Sequence, residues 1–474
     1  MKDILLTTIN AKWIHPSLAL RLLKANLGKL EDRCEIIEFA LRQPLQEKID
    51  ALSSGHPQIL GFSVSIWNHT ATLDLLKELK KVWVKKGKIN EHNSLQPVIV
   101  LGGPEVSHLP EDAEIFQYAD YVIRGEGEIV FRELCEKFLN GEKPPKFILA
   151  ENVNVNEIKS AYHLYTDEDV ARKLIYVEAS RGCPFNCEFC LSAADAHSVR
   201  EFPLEPFFAE MDALIMRGVK TFKFLDRTFN ANIKRAIVIM IFFLEKLKER
   251  TFTVHFEMVP ILFTPELRET LTRFPPGSLR LEIGIQTLTP EAAARIGLPG
   301  RQAGLSERQT GQPDKILEPL RFLCEKTNAI IHADLIAGLP GENIESFGNG
   351  FNLLLAALEG GQGRTEIQLG ILKQLPGAPI ARHNKEWGMR YNSEPPYEVI
   401  ETSAMSADDI SRLKNFARFW EIIVNRGLFD TDFPQKKETF NNFMKLSDTL
   451  FSRFGKNWGI DKEKLIEVVL EISF

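Results

Sequence analysis

The stretch Leu174-Ile175-Tyr176-Val177-Glu178-Ala179-Ser180-Arg181-Gly182-Cys183-Pro184-Phe185-Asn186-Cys187-Glu188-Phe189-Cys190 decides how the rest of the chain is read. It opens as an apolar, strand-like run, Leu174 to Ala179, and turns into a loop with the spacing C-x3-C-x2-C. Three thiolates on one short loop can hold three irons of a cubane cluster. The fourth iron then has no protein ligand. Structural metal sites are closed by four ligands, whereas an open position is what chemistry needs. The competing reading is half of a zinc site, which requires a fourth Cys or His. Cys34, Cys135 and Cys324 are isolated in sequence, and His197, seven residues past Cys190, does not have a finger spacing. A disulfide framework does not fit a chain of 474 residues with six cysteines.

Working outward, a chain of this length makes two or three domains with large cores. Charged residues are 26% and hydrophobic residues 44% of the total, an ordinary soluble composition, and the net charge of −6 does not favour nucleic acid as a partner. Met1-Lys2-Asp3-Ile4-Leu5-Leu6 reads as a strand rather than a signal peptide. The most apolar helix-like run, Val238 to Leu244, is far short of the ~20 residues a bilayer span needs. The expectation is a cytoplasmic protein with no membrane partner.

Before residue 140, apolar strand runs alternate with amphipathic helices, the pattern of a parallel sheet. Strands are expected at 3–8, 33–38, 59–63, 98–101 and 121–123, giving a five-stranded, doubly wound, Rossmann-like unit over 1–140. The Pro-rich and then polar stretch 141–170 reads as a linker. A second βα series over 171–385 has strands at 175–179, 221–225, 253–258, 280–285, 330–336 and 366–372. Six such units match a partial (β/α)6 barrel of TIM type, whose chemistry sits at the strand C-terminal ends. Residues 296–313, rich in Gly, Arg and Gln, read as an exposed loop, and 386–474 as a helical C-terminal extension. The fold class is therefore α/β.

Open α/β sheets bind ligands at the C-terminal ends of their strands. In the N-terminal unit those ends carry Asn10 to Ser17, Gly61 to Asn68, Leu101-Gly102-Gly103-Pro104-Glu105 and Arg124-Gly125-Glu126-Gly127-Glu128. Small residues let backbone approach a large flat ligand, and serine hydroxyls hydrogen-bond amides. Tight turns and helix caps would produce the same sequences. In the barrel, Asp226 follows the second strand and is suited to accept from an ammonium group, or to cap a helix. Glu282, Gly284 and Gln286 share one face of the fourth strand. Glu257 ends the third strand, and a carboxylate there needs a partner or a role. Asp334 to Glu342 closes the fifth strand.

The cysteine spacing, with an aromatic before the third cysteine, resembles the radical S-adenosylmethionine (SAM) superfamily. Gly284-x-Gln286 and the Asp334–Glu342 segment resemble its strand-end signatures. The loop set over 1–140 is similar to the cobalamin-binding fold. Together these resemble the cobalamin-binding radical SAM enzymes, with a tail like the uncharacterised one of one subgroup. The resemblance implies a 4Fe–4S cluster on Cys183, Cys187 and Cys190, and SAM held by Phe189, Asp226, Gln286, Ala337 and Gly338. It implies cobalamin against Ser63, Ser65, Gly102, Gly103, Pro104, Gly125 and Glu126. His15 aligns with the cobalt-ligating histidine of Asp-x-His-x-x-Gly, but Trp13 and Leu18 stand at the positions of the Asp and the Gly, with Lys12 just before. The expectation is that no protein imidazole binds cobalt. The implied activity is methylation of an unactivated carbon or phosphorus centre in a small molecule or peptide, with flavodoxin or ferredoxin as electron donor. The alternatives are cyclisation, ring contraction or oxidation without methyl transfer, and a tRNA methylthiotransferase-like reaction, for which a second three-cysteine set is missing. No residue is singled out as catalytic.

Overall fold

The computed structural model describes residues 2–54, 57–86, 96–193, 198–298, 313–360, 364–428 and 439–473. The chain divides into two compact units, Met1–Ser180 with Arg200–Lys223, and Arg181–Val199 with Phe224–Phe474.

The first unit is built on a parallel sheet of β1 (Ile4–Asn10), β2 (Cys34–Ala40), β3 (Ile59–Ser63), β4 (Val98–Gly102), β5 (Tyr121–Arg124) and β6 (Phe147–Leu149), in the order β2-β1-β3-β4-β5-β6. Its strands are apolar on both faces because both faces are covered. Leu5, Ile9, Leu60, Phe62, Leu101 and Val122 pack with Ile49, Leu52, Leu75 and Leu79 of α2 (Leu45–Ser54) and α3 (His69–Lys86). Ile4, Leu6, Ile59, Val100 and Ile123 pack on the other side with Leu20, Phe131 and Leu134 of α1 (Leu18–Ala25) and α5 (Glu128–Leu139). The order reverses between β1 and β3, so the loops after these two strands flank the crevice that doubly wound folds use for ligands.

The sheet has one strand more than the sequence led one to expect. Phe147-Ile148-Leu149 pairs in parallel with β5, with Val122 opposite Phe147. Three apolar residues after Pro144-Pro145 are too few to show as a strand without the edge that accepts them. The stretch expected to be a linker is also packed. Val153, Val155, Ala161, Tyr162, Tyr165 and Val170 are buried. Buried Arg21 on α1 bonds Glu38 (2.6 Å) and Asp169 (2.7 Å), the latter at the start of α6 (Asp167–Arg172), and lies 4.7 Å from the Tyr165 ring. A buried charge is tolerated when it is paired in this way.

Six strands continue the chain: β7 (Ile175–Val177), β8 (Thr221–Phe224), β9 (Thr253–Met258), β10 (Leu279–Gln286), β11 (Ile330–Ala337) and β12 (Thr365–Ile371). Helices α7 (Leu204–Met216), α8 (Ile233–Leu247), α9 (Pro265–Thr272), α10 (Pro290–Arg295), α11 (Pro313–Lys326) and α12 (Ile344–Ala357) alternate with them. β7 and most of β8 fall in the first unit. Within the second unit, β9 to β12 pair in parallel in the order β12-β11-β10-β9. Val254, Phe256, Leu281, Ile283, Ile331, Ala333 and Ile367 are buried on one face. The alternate positions carry His255, Glu257, Arg280, Glu282, His332, Asp334, Glu366 and Gln368, so much of the opposite face is polar. Most of the expected loop at 296–313 lies outside the described residues.

The C-terminal helices belong to the second unit. α13 (Ala407–Trp420), α14 (Thr439–Phe454) and α12 share an aromatic cluster of Phe351, Phe416, Trp420, Phe440 and Phe443, with ring centroids 4.8–5.8 Å apart. A one-turn π-helix, Glu421–Asn425, ends α13, and the Asn425 amide donates to Ile367 O on β12 at 2.9 Å. This supplies the otherwise open edge strand with a partner. α15 (Lys462–Ser473), which the sequence reading did not mark out, completes the chain. No described helix is long and apolar enough to cross a membrane.

Candidate active site and cofactor-binding loops

In the second unit the cysteine loop is short and anchored. Cys183, Cys187 and Cys190 are half-buried, and Cys190 N donates to Cys187 O at 2.9 Å. Burial first, then the neighbouring Cys190 and Cys183, push the Cys187 thiol up to about 12. Three sulfurs are thus crowded into one poorly solvated place, which suits a cationic iron–sulfur group that takes them as thiolates. Among the described residues no three Cys, His, Asp or Glu side chains close around a single ion; in a cubane each thiolate takes its own iron. His197, the alternative zinc ligand, lies outside the described residues.

Cys183 meets a residue that the sequence reading passed over. Thr228 Oγ1 is 3.4 Å from its Sγ, and Thr228 is buried. Thr228 sits two residues past Asp226, which is 2% exposed. The loop carrying both is fixed by Asn230, whose amide donates to Val259 O (2.9 Å) and accepts from Val259 N (3.0 Å), and by Phe229 stacked on Phe256 at 3.9 Å. The strand-two loop is thereby brought to the first cysteine.

At the end of β10, Gln286 has φ +66, rare for a residue with a Cβ, and the β10–β11 register shifts between Gly284 and Gln286. Gln286 folds back over its own strand. A Cβ at Gly284 would stand 2.6 Å from Gln286 Nε2, so Gly284-x-Gln286 is one unit in which the glycine makes room for the amide. Beyond it, Thr287 and Thr289 both donate to Glu342 Oε1, at 2.5 and 2.6 Å. Glu342 is 1% exposed, its Oε2 has no hydrogen-bond partner among the described residues, and burial raises its pKa to about 7. Nothing local in the sequence marked this carboxyl.

Ala337 and Gly338, which the resemblance places at SAM, lie where the C-terminal segment packs. Ala337 is fully buried, and a Cβ on Gly338 (φ +88) would meet Val399 Cγ1 at 2.6 Å and Ile410 Cδ1 at 3.3 Å. The space kept open there is filled by the C-terminal segment, so packing accounts for this glycine. Phe189 is half-buried on the cysteine loop.

In the first unit the four strand-end loops are braced against one another. Asn68 donates to Ile9 O (3.0 Å), Ser63 O (3.3 Å) and Thr8 Oγ1 (3.2 Å), and accepts from Ser65 N (2.8 Å). Val64 N donates to Gly102 O (2.8 Å), and Glu105 N to Val64 O (3.2 Å). Ser107 Oγ donates to Gly103 O (2.9 Å) and accepts from Gly125 N (3.1 Å). Gly103 (φ +108) and Gly125 (φ +93) lie against the backbones of Val64 and Ala150, and Pro104 begins α4 (Pro104–His108). Glu126 is engaged by Arg200 (2.5 and 2.9 Å) and by Val153 N (2.8 Å), a structural role the sequence could not show. The result is a stiff rim on which Trp13 and Trp67, after β1 and β3, remain 45% and 55% exposed. Lys173 Nζ lies 4.9 Å from the Trp13 ring centre, and a rim with exposed aromatic surface of this kind fits a large flat ligand. His15 Nδ1 is 2.8 Å from Tyr176 Oη, and burial lowers its pKa. Tyr176 thus provides a polar neighbour where the sequence offered only Trp13.

Three family descriptions match the chain: B12 binding domain over residues 4–135, Radical SAM superfamily over 177–354, and a protein of unknown function (DUF4080) over 385–466. An uncharacterized methyltransferase, PH0819 of Pyrococcus horikoshii, is 32% identical over 199 residues, 37% of this chain and 42% of that protein. The cobalamin-dependent radical SAM methyltransferase TokK of Streptomyces tokunonensis is 24% identical over 414 residues, 77% of this chain and 56% of that one. The chain spans about half the length of these curated relatives. A solved structure of the radical S-adenosylmethionine methyltransferase TsrM of Kitasatospora setae, with cobalamin and a 4Fe–4S cluster bound, shares the fold. Its TM-score is 0.59 at 16% identity, covering 87% of this chain and 82% of that one.

Proposed function

The chain belongs to the cobalamin-binding radical SAM family, and from that premise we propose that it is a methyltransferase drawing both the methyl group and the radical from SAM. The target is an unactivated carbon, or phosphorus, in a small molecule or peptide. The observation that carries this is the anchored loop of Cys183, Cys187 and Cys190, with Thr228 against Cys183, in a chain whose first unit presents a braced rim with exposed Trp13 and Trp67. When bound, the cluster supplies the electron that cleaves SAM, and the corrin supplies methyl-transfer chemistry.

The protein's own residues position and exclude. Cys183, Cys187 and Cys190 would hold three irons of the cluster as thiolates, and Thr228 would donate a hydrogen bond toward the Cys183 sulfur. Asp226 accepts from the SAM ammonium group, a charge-assisted contact strengthened by burial. Gln286, held at a strained φ, offers its amide at the strand end, while strain of this kind is kept where the surroundings fix it. Phe189 shields the cluster from water. In the first unit Ser63, Ser65, Gly102, Gly103 and Pro104 line the corrin side, with Trp13 and Trp67 against its apolar faces. A small flavodoxin or ferredoxin delivers electrons. The proposed divisions are 1–140 for the corrin domain, 141–170 for the connection, 171–385 for the radical SAM core and 386–474 for the helical extension.

The test is anaerobic reconstitution of the full chain, incubation with a reductant and SAM labelled in its methyl group, and a screen of candidate substrates. Labelled product, with S-adenosylhomocysteine and 5′-deoxyadenosine both formed, is the expected result. 5′-Deoxyadenosine without label in any product would move the assignment to cyclisation or oxidation. Absence of both an iron–sulfur signal and bound corrin would end it.

A further inference from the structure

Glu188 lies inside the cysteine loop, between Cys187 and Phe189, and is not itself placed to be an iron ligand. It is 9% exposed, and its carboxylate is the meeting point of two side chains from nearly two hundred residues away. Arg382 Nε donates to Oε2 at 2.9 Å and Arg382 Nη2 donates to Oε1. His383 Nε2 is 2.8 Å from Oε2, and His383 is also buried. The backbone of Glu188 is held on both sides, with Glu188 N donating to Ile296 O at 3.0 Å and Ile380 N donating to Glu188 O at 2.9 Å. The two supports are themselves joined. Trp387 N donates to His383 O at 3.0 Å, the Arg295 guanidinium lies 4.3 Å from the Trp387 ring centre, and Arg295 Nη1 donates to Pro340 O at 3.2 Å. A buried carboxylate is kept only when fully paired, and forked charge-assisted bonds fix direction as well as energy.

We propose that Glu188 is a positioning residue for the cluster: Arg382 and His383 clasp its carboxylate and so hold Cys187 and Cys190 in their ligating arrangement before iron and sulfide arrive. This rests on the reading that the loop carries a cluster. A loop already ordered loses less conformational freedom on binding, and ligand groups supported from behind hold their geometry. The clasp also makes the segment after β12, which leads into the C-terminal helices, part of the cluster's support.

The experiment uses the full chain, reconstituted anaerobically with iron and sulfide, as parent, E188Q, R382A, H383A and the double variant E188Q/R382A. Iron per chain, the half-time of cluster loss to an iron chelator, and the electron paramagnetic resonance spectrum of the reduced cluster with and without SAM are measured. Far-UV circular dichroism and the unfolding midpoint of the cluster-free chains serve as controls. E188Q and H383A should lose the cluster about tenfold faster, the change expected for one charge-assisted contact, with an altered spectrum and a parent-like unfolding midpoint. The double variant should be no faster than E188Q, because a clasp is broken once. Parent-like half-times and spectra in E188Q and H383A would overturn the proposal, and so would independent multiplication of the Glu188 and Arg382 effects. If E188Q does not fold, R382A and H383A, both outside the cysteine loop, decide the matter in the same way. A parent chain that takes up no cluster would instead refute the radical SAM reading itself.

Discussion

Replacing Gly338 by Ala separates two roles for the turn after β11. If the glycine exists to admit adenosine, the substitution should weaken SAM binding and leave the fold alone. The structure says otherwise. At φ +88 an L-residue carries a steric cost of roughly 1–2 kcal/mol. The new methyl would also meet Val399 Cγ1 at 2.6 Å, and Val399 is fully buried. Overpacking of this kind costs about 1–3 kcal/mol. G338A should therefore destabilise by about 2–5 kcal/mol. V399A alone should cost about 1–2 kcal/mol for two lost methyl groups and the space they leave. In the double variant the clash is relieved but the backbone cost remains, so its loss should fall short of the sum of the singles by about 1–3 kcal/mol. Urea unfolding of the four cluster-free proteins, followed by circular dichroism, measures this coupling. G338A within about 0.5 kcal/mol of the parent, combined with a tenfold or greater loss of SAM affinity, would refute the packing account and restore the ligand one.

Changing Cys183, Cys187 and Cys190 together to Ala should abolish the iron–sulfur absorbance, whereas retained iron at parent stoichiometry would remove the loop from the cluster site. Asp226→Asn and Gln286→Ala should impair SAM cleavage with the cluster intact, by ~1.5–3 kcal/mol or about 10- to 150-fold in affinity for Asp226 and less for Gln286, which pairs with no charge; parent-like affinity and 5′-deoxyadenosine formation in both would displace SAM from these residues. Glu342 has a folded pKa of about 7, above its ordinary 4.5, so the fold holds that proton more tightly than the unfolded chain does. Its contribution is fully present below pH 4.5 and is lost as pH rises through about 7, a difference of roughly 3 kcal/mol. E342Q should flatten the stability–pH curve of the cluster-free chain across that window and be more stable than the parent at pH 8; parallel curves would show that Glu342 titrates normally.

What was legible in the sequence is what repeats locally. Strands buried on both faces read as apolar runs, and eleven of the twelve labelled strands stood where the runs did, within a residue or two. The strand β6 was the exception, because three apolar residues become a strand only against the β5 edge. The cysteine spacing was legible for the same reason, since three cysteines on one loop are a local pattern. Thr228 was passed over although it lies inside a motif that drew attention. Its significance is a 3.4 Å approach to a residue 45 positions away, which no window around it contains.

The same reason explains why a glycine or a carboxylate says less in sequence than a cysteine triad does. A glycine records only that something comes close, and the sequence does not say whether that is a ligand or another part of the chain. At Gly338 it is Val399 and Ile410; at Gly284 it is the amide of Gln286. A carboxylate records only that a partner is needed. Glu126, read as a corrin contact, has Arg200 and Val153 N; Glu188, read as nothing, has Arg382 and His383. Asp169, read as linker, has Arg21 and Lys173. In each case a partner distant in sequence arrives from another element, so a charge that looks solvated in sequence is engaged in the fold. The consequence for the site is specific. Both termini of α10 are tied to the turn after β11, through Thr289 to Glu342 and through Arg295 to Pro340, and the residue that follows α10, Ile296, holds Glu188. The cysteine loop is thus supported by a chain of contacts that passes through the turn on which Val399 and Ile410 press. A C-terminal extension packed there is positioned to stiffen the cluster loop without touching it, which is a physical reason for the helical tail to share one compact unit with the barrel strands.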